Sequence, residues 1–118
     1  MNSKPLPYGK VSGAINESFA DIFGFMVEYN MFGLRNWTIG EDAGGAVRDM
    51  QNPGAYLPHP AFRYQPSFYL GPNWTNVIGC NPKTGFDGCG VHINSGVQNH
   101  WFYLLSMGGS QTINGQPR

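Results

Sequence analysis

A helical pattern of apolar and polar positions dominates the first part of the chain. Ser12 is a suitable N-cap, and the pattern predicts a helix of about 18 residues from there through Asn30. With about 100° of rotation per residue, one side of this helix is apolar and is predicted to face the protein core. That side comprises Ile15, Phe19, Ile22, Phe23 and Met26.

Acidic residues line the opposite side of the same predicted helix. Glu17, Asp21 and Glu28 lie within about 40° of one another around the helix axis. Such a stripe is usually a solvated surface, but Glu17 and Asp21 are like charges four positions apart, which mildly destabilises a helix. No Lys or Arg occurs from Val11 to Leu34 to balance them. The stripe is therefore either a solvated face or part of a site that holds a cation or orients its ligands.

The rest of the chain contains fewer regular elements. A short turn of helix is predicted at 46–51, and residues 52–91, which hold six of the nine prolines, are predicted to form a long irregular segment. Asn94 or Ser95 is suited to cap a second helix, which runs to about Met107 and is ended by Gly108. The predicted fold is mainly α with long irregular loops.

Composition and charge narrow the classes of function. The chain has 118 residues, one domain at most, and a formal net charge of zero with 12% charged residues. No basic patch stands out, so nucleic acid is not expected as a partner. No apolar run reaches the roughly 20 residues that span a bilayer, so no membrane association is expected either.

Cys80 and Cys89 lie nine positions apart in a segment rich in Gly, Pro and Asn. This spacing does not match the CxxC half-site of a zinc ribbon. A small surface disulfide fits better and would place the protein in an oxidising compartment, while two unrelated thiols are the alternative. We therefore predict a disulfide between Cys80 and Cys89.

Three segments of the sequence carry a more specific pattern. They are SGAINESFADIFG (12–24), GEDAGGAVRDMQNP (40–53) and GVHINSG (90–96). Together and in this order they resemble the thermolysin family of zinc metallopeptidases. The resemblance covers about residues 8–109 and implies the first half of the helical C-terminal domain, with 1–118 forming a partial catalytic domain. It also implies a secreted endopeptidase that cleaves peptides or proteins with a zinc-activated water.

The resemblance assigns a metal role to the acidic stripe. Glu17 matches the third protein ligand of the catalytic zinc, beside two histidines. A carboxylate in this position leaves the metal a Lewis acid with one position open for water. Asn16 and Asp21 match the groups that hydrogen-bond those histidines and fix the orientation of their rings.

The resemblance also implies a set of catalytic and substrate-binding side chains. His92 and Tyr8 match the donors to the negative charge that develops on the substrate carbonyl oxygen. Asp87 matches the carboxylate that orients and charges His92. Arg48 matches the arginine that binds the substrate carbonyl beyond the scissile bond, and Val47 matches an apolar wall of the pocket for the following residue. Taken singly, each has an ordinary alternative, such as a core histidine, a surface ion pair or tyrosine packing.

Calcium is the second metal that the resemblance implies. Glu28 and Glu41 match calcium-binding carboxylates, but Asn36 and Thr38 stand where the family has acids. Calcium affinity follows the number of charged ligands. We therefore expect at most one calcium, to which Asn36 would offer an amide oxygen.

The HExxH segment, which supplies two histidine ligands and the general base in the family, is absent from these 118 residues. His59 and His100 match no family position. The expected partner, besides a peptide or protein substrate, is the remainder of the peptidase domain that carries HExxH, and the chain alone is expected to be inactive. One alternative is a non-catalytic binding or interaction module that keeps the helical half of the fold. Another is assembly with a separate chain, which predicts an exposed apolar patch on the Phe19, Phe23 and Met26 side of the helix.

Overall fold

The computed structural model of the chain describes residues 9–33, 36–40, 45–55 and 64–109, together with the backbone of 112–113 and 116–117. Helix α1 spans Lys10–Phe32, α2 spans Asp87–Asn94 and α3 spans Gly96–Met107. Two short antiparallel pairs accompany the helices: β1 (Thr38–Ile39) with β2 (Arg48–Asp49), and β3 (Thr112–Ile113) with β4 (Gln116–Pro117). The prediction of a mainly α fold with long irregular loops is confirmed.

Helix α1 is longer than the sequence pattern predicts. It starts at Lys10, after Gly9 with φ of 123°, and ends at Phe32, before Gly33 with φ of 75°. Glycine adopts such positive φ values at little cost, so one glycine precedes the helix and another ends it. Ser12 lies inside the first turn, where its hydroxyl donates to the Gly9 carbonyl oxygen at 3.1 Å.

Helix α3 follows the prediction closely. It begins after Ser95 and ends at Met107. Gly108 adopts the left-handed conformation, with φ of 74° and ψ of 27°, and its N–H donates to the carbonyl oxygen of Leu104. This is the glycine C-cap that the sequence indicates.

Two local predictions are wrong. Residues 46–51, predicted to form a turn of helix, contain strand β2, in which Arg48 pairs with Ile39. Helix α2 begins inside the segment 52–91, which is predicted to be irregular, and continues beyond its end to Asn94. Its start is unusual, because φ is positive from Asp87 through Gly90, so the chain makes a left-handed turn before the right-handed helix begins.

An aromatic cluster joins α1, α3 and the β1–β2 pair. The buried core consists of Ile22, Phe25, Trp37 and Met50. The Phe25 ring stacks on the Trp37 ring with centroids 4.5 Å apart, and Phe102 of α3 meets both edge-on at 5.8 and 6.1 Å. Each such pair adds about 0.5–1.5 kcal/mol beyond the burial of its area. The cluster thereby fixes both α3 and the strand pair against α1.

The orientation of α1 is the reverse of the prediction. Of the predicted core face only Ile22 is buried, whereas Phe19, Phe23 and Met26 are 50%, 64% and 50% exposed and Ile15 is 42% exposed. The side that faces the rest of the chain instead carries Gly13, Ala14, Ser18, Asp21, Ile22 and Phe25. Glu17 and Asp21 of the acidic stripe border this inner side, where their carboxylates meet donors from other elements.

Among the described residues, none of the helices combines the length and the apolar character that crossing a bilayer requires.

Gly90 shows how closely the left-handed turn packs on the preceding loop. Its φ is 83°, and a Cβ atom placed on it would lie 2.7 Å from the Cβ of Thr75. Thr75 has little freedom to move, because its backbone N–H and carbonyl each hydrogen-bond the Asn94 side chain at 2.9 Å. The start of α2 is therefore tightly packed against the loop that contains Thr75.

We predict that Gly90→Ala lowers the free energy of unfolding by about 2–4 kcal/mol, from the left-handed backbone and from overpacking against Thr75 together. The matched control is Gly79→Ala, at φ of 74° with no atom within 4 Å of the added methyl group. This control should cost only about 1–2 kcal/mol, the backbone contribution alone. Urea denaturation of both variants measures the difference, and equal losses would contradict the packing argument.

Candidate functional site

Three of the predicted site residues meet at the His92 ring. Its Nδ1 lies 2.6 Å from Asp87 Oδ1, and its Nε2 lies 3.0 Å from Glu17 Oε2. The backbone N–H of His92 also donates to Asp87 Oδ2 at 2.9 Å. The Asp87 side chain is only 3% exposed, against 20% for Glu17 and 31% for His92. Asp87 is thus a buried anchor for the ring, and Glu17 lies at the open edge of the site.

The left-handed turn at the start of α2 explains how Asp87 reaches both the ring and the backbone of His92. Positive φ from Asp87 through Gly90 folds the chain back, so that the carboxylate meets a residue five positions later. A left-handed residue other than glycine costs about 1–2 kcal/mol. At Asp87 the two contacts with His92 offset this cost, and Cys89 is held by its disulfide to Cys80.

These contacts define what the imidazole can do. An ionised carboxylate only accepts hydrogen bonds, so the His92 Nδ1 carries the proton that faces Asp87. The Nε2 atom lies on the opposite, more exposed side of the ring, toward Glu17. When protonated, this nitrogen is a donor, as stabilisation of a negatively charged oxygen requires.

A second pair of predicted residues forms a buried ion pair. Arg48 on β2 approaches Asp21 on α1 with both a side-on and an end-on nitrogen: Nε to Oδ2 and Nη2 to Oδ1, each at 2.6 Å. The two side chains are 13% and 5% exposed. Two parallel N–H···O bonds fix the plane of the guanidinium as well as its distance.

These two pairs explain how α1 tolerates two acidic residues one turn apart without a Lys or Arg nearby in the sequence. Glu17 and Asp21 are one helical turn apart, and each receives a partner from another element: His92 from α2 and Arg48 from β2. Asn99 of α3 also donates from Nδ2 to Asp21 Oδ2 at 2.8 Å. The inner acidic side of α1 is therefore stabilised by side chains that are distant in sequence.

Other predicted site residues stand apart from these contacts. Val47, next to Arg48, is half-buried, and its N–H donates to the Ile39 carbonyl at 2.8 Å. Asn16 is exposed on α1, and its side chain makes no hydrogen bond to the described residues. Tyr8, like Glu41 and His59, lies outside the described residues.

The described calcium candidates do not form a cluster of carboxylates. Glu28 is half-buried in the second half of α1. The amide oxygen of Asn36 accepts hydrogen bonds from the Thr38 backbone N–H at 3.1 Å and from the Thr38 hydroxyl at 2.9 Å. The oxygen that would bind a cation is thus already used in a local turn.

A complete zinc site is not formed by this part of the chain. Within the described ranges, no group of three His, Cys, Asp or Glu side chains is arranged to hold a metal ion. Glu17 is a donor of the right type, but both ring nitrogens of its neighbour His92 are directed at carboxylates. The described residues therefore offer one carboxylate ligand and do not by themselves fit a zinc ion.

Gln65, which was not among the predicted site residues, stabilises the backbone at His92. Gln65 is 2% exposed, and its Nε2 donates to the His92 carbonyl oxygen at 2.6 Å and to the Ser95 hydroxyl at 3.2 Å. A Cβ on Gly96 would lie 2.6 Å from the Gln65 Cβ, so the junction between α2 and α3 is closely packed on it. Gln65 lies in an irregular segment far from the motifs, and no local pattern marks it.

The remaining described histidine has a structural role. His100 is 9% exposed, its Nδ1 lies 2.9 Å from the Met50 carbonyl oxygen, and its ring stacks on Tyr103 with centroids 5.7 Å apart. It helps to hold α3 against the segment that follows β2.

Comparisons with known proteins identify the family of the chain. The model of the "thermolysin metallopeptidase, alpha-helical domain" family matches residues 5–117. The chain is 38% identical over 117 residues to a zinc metalloproteinase of Renibacterium salmoninarum, which covers 94% of this chain and 20% of that protein. It is 40% identical over 113 residues to a thermolysin of Alicyclobacillus acidocaldarius, which covers 88% of this chain and 17% of that protein. A bacillolysin of Bacillus cereus is 38% identical over 117 residues, and the aligned region covers 92% of this chain and 18% of that protein. The chain thus spans about a fifth of the length of these relatives.

Substitutions at Gln65 should distinguish the contribution of its side-chain hydrogen bonds to stability from the contribution of its volume. We predict that Gln65→Leu lowers the free energy of unfolding by about 1–3 kcal/mol, the net value of the two hydrogen bonds that its Nε2 donates. Gln65→Glu should cost about 3–5 kcal/mol at neutral pH, because it leaves a buried charge facing the His92 carbonyl oxygen. Urea denaturation ranks the two variants, and Gln51→Leu, at an exposed position, is the control. A glutamate variant as stable as the leucine variant would contradict the assigned contact.

Proposed function

The chain belongs to the thermolysin metallopeptidase family, and from that premise we propose that it forms the helical half of the active site of a secreted zinc metalloendopeptidase. The observation that supports this most directly is the His92 ring held between Asp87 and Glu17, beside the Asp21–Arg48 pair. Each of these five residues matches a functional position of the family. A site of this kind is completed by polypeptide that carries HExxH.

Glu17 is proposed as the carboxylate ligand of the zinc. The choice is supported by its position at the open edge of the site, 20% exposed, where a ligand can meet groups that approach from outside the chain. When bound, zinc supplies a Lewis acid that activates a water molecule for attack on a peptide carbonyl. Asn16 and Asp21 are proposed to orient the two histidine ligands. Asp21 Oδ1 receives a single hydrogen bond from the described residues and keeps capacity for another donor.

His92 is proposed to donate from Nε2 to the carbonyl oxygen of the substrate as negative charge develops there. Asp87 holds the ring with Nδ1 protonated and directs Nε2 toward the open side. A donor that is already oriented stabilises the charge without reorganising during the reaction. Tyr8 is proposed as the second donor to the same oxygen.

Arg48 is proposed to bind the substrate carbonyl beyond the scissile bond. The contact with Asp21 occupies Nε and one hydrogen of Nη2, and the remaining guanidinium N–H groups meet no acceptor among the described residues. Val47, which precedes it on the chain, is proposed as an apolar wall for the next substrate residue. Large apolar side chains would be favoured there.

The exposed apolar side of α1 supports a partner for this chain. Phe19, Phe23 and Met26 are each at least half exposed, which is unusual for side chains of this size on one helix face. We propose that the remainder of the peptidase domain covers them, whether it is joined to this chain or supplied separately.

Two further features of the proposal concern calcium and the compartment. Glu28, Glu41 and Asn36 are proposed to contribute to at most one calcium site. The Cys80–Cys89 disulfide fits a protein that works outside the cell, because such bonds persist in oxidising compartments.

The second candidate function is a non-catalytic binding or interaction module. One observation favours it: within the described residues no three side chains are arranged for a metal. Such a module would keep the fold without zinc and without turnover. The two experiments below separate it from the peptidase.

We predict that His92→Phe, made in the protein as its gene encodes it, lowers kcat by about 10²–10³-fold, the usual effect of removing one donor to a developing oxyanion. The assay uses a fluorogenic peptide with a large apolar residue after the scissile bond. His92→Gln keeps an N–H donor and should retain more activity than the phenylalanine variant. Unchanged kcat in His92→Phe would contradict the assigned role, and a wild-type protein without turnover would favour the binding module.

Zinc content tests the role of Glu17 directly. In the protein as its gene encodes it, we predict about one zinc per molecule by mass spectrometry, and chelation should abolish turnover, as expected for a single catalytic metal. Glu17→Gln keeps the shape of the side chain but removes its charge, and the zinc ratio should fall toward zero. Asp49→Asn is the control and should keep its zinc, because it lies outside the proposed sites and keeps the Oδ1 that accepts from the N–H groups of Gln51 and Asn52. Equal zinc in the two variants would contradict the assignment.

A further inference from the structure

Two buried polar residues outside the proposed catalytic set connect to the Asp21–Arg48 pair. Asn99 on α3 and Ser18 on α1 are both fully buried, with 0% exposure. The Asn99 Nδ2 donates to Asp21 Oδ2 at 2.8 Å, and the Ser18 hydroxyl donates to Asn99 Oδ1 at 2.6 Å. Ser18, Asn99, Asp21 and Arg48 therefore form one continuous chain of hydrogen bonds, which we call the Ser18–Asn99 relay.

The direction of each bond in the relay is fixed by chemistry. An ionised carboxylate only accepts, so the NH₂ side of the Asn99 amide must face Asp21. The opposite orientation would bring the amide oxygen against a carboxylate oxygen. The Ser18 hydroxyl donates to the other side of the amide and so favours the one orientation that Asp21 can accept.

The relay restricts the Asp21 carboxylate more than the ion pair alone does. Its Oδ2 receives two donors, the Arg48 Nε and the Asn99 Nδ2, which come from β2 and from α3. With both donors in place the carboxylate cannot rotate about its last bond without breaking one of these hydrogen bonds. The plane of the Arg48 guanidinium follows the plane of the carboxylate because the two share a bidentate contact.

We propose that Ser18 and Asn99 are positioning residues for Arg48, acting through Asp21. They hold the guanidinium in one orientation, so that its remaining N–H groups are presented to the substrate carbonyl without reorganisation. The substrate part of this inference rests on the proposed function, whereas the restriction of Arg48 does not. Ser18 is also the residue after Glu17, so its backbone position is shared with the proposed zinc carboxylate.

The test follows the Arg48 Nε–H group itself in the ¹⁵N-labelled protein as its gene encodes it. Its resonance is assigned by its disappearance in Arg48→Lys, and its hydrogen exchange rate is measured by NMR. Ser18→Ala removes the donor that orients Asn99, and Asn99→Ala removes the whole connection. We expect exchange at least tenfold faster in Ser18→Ala and faster still in Asn99→Ala.

The control is Ser106→Ala on α3, which removes an exposed hydroxyl that donates to the Phe102 carbonyl and does not touch the relay. Its Arg48 Nε–H should exchange at the wild-type rate. Backbone amides of α1 should keep their exchange rates in Ser18→Ala, which distinguishes a positioning role from general loosening of the fold. Because Ser18→Ala is a small change, the result does not depend on whether Asn99→Ala folds.

Two results would overturn the proposal. The first is an unchanged Arg48 Nε–H exchange rate in Ser18→Ala. The second is a rise that is matched by the backbone amides of α1 or by Ser106→Ala. If the protein proves active, Ser18→Ala should lower kcat/KM by about five- to tenfold with unchanged zinc content. A protein without turnover but with faster Arg48 exchange in Ser18→Ala would remove the proposed function and leave the relay in place.

Discussion

The burial of the Asp21 carboxylate determines how the chain is arranged around helix α1. A carboxylate that is 5% exposed is tolerated only when cations and donors meet it in good geometry. The cation comes from β2 as Arg48 and the amide donor from α3 as Asn99, so both elements must lie against the same side of α1. The stacking of Phe25 on Trp37, with Phe102 at their edge, extends this contact by one helical turn. Polar and aromatic contacts therefore select the same inner side.

This orientation places the two sides of α1 in different environments. Glu17, one turn before Asp21, comes to the edge of the inner side, where His92 reaches it at 3.0 Å. The apolar residues Phe19 and Phe23 are turned away from the core and stay exposed. The inner side of the helix is thus satisfied within the chain, whereas its exposed apolar side is a surface that a second layer of protein would bury. The proposed remainder of the peptidase domain would supply this layer.

The sequence predicts the parts of this molecule that depend on local signals. Helices α1 and α3 and the glycine that ends α3 follow from periodicity and capping, and the motifs indicate the family. The inner side of α1 was assigned wrongly because a hydrophobic stripe normally faces the core of its own chain, and periodicity carries no information about partners on β2 and α3. The left-handed turn at Asp87 and the β2 strand depend on tertiary contacts that no short window contains. Gln65 and Asn99 were missed for the same reason, since their partners are 27 and 78 positions away.

The contacts in the candidate site differ in how firmly they are held, and the difference follows their exposure. Asp87 and Asp21 are 3% and 5% exposed and lie 2.6 Å from His92 and Arg48, so the carboxylate of each pair is shielded from water. The Glu17–His92 contact is longer, at 3.0 Å, and joins side chains that are 20% and 31% exposed. Contacts between side chains with such access to solvent contribute at most about 1 kcal/mol, even where both groups are charged. The contacts that position His92 and Arg48 are therefore firm, while the Glu17–His92 contact is weak enough to open. The proposed active site requires this combination, because Glu17 would have to exchange its contact with His92 for the zinc ion.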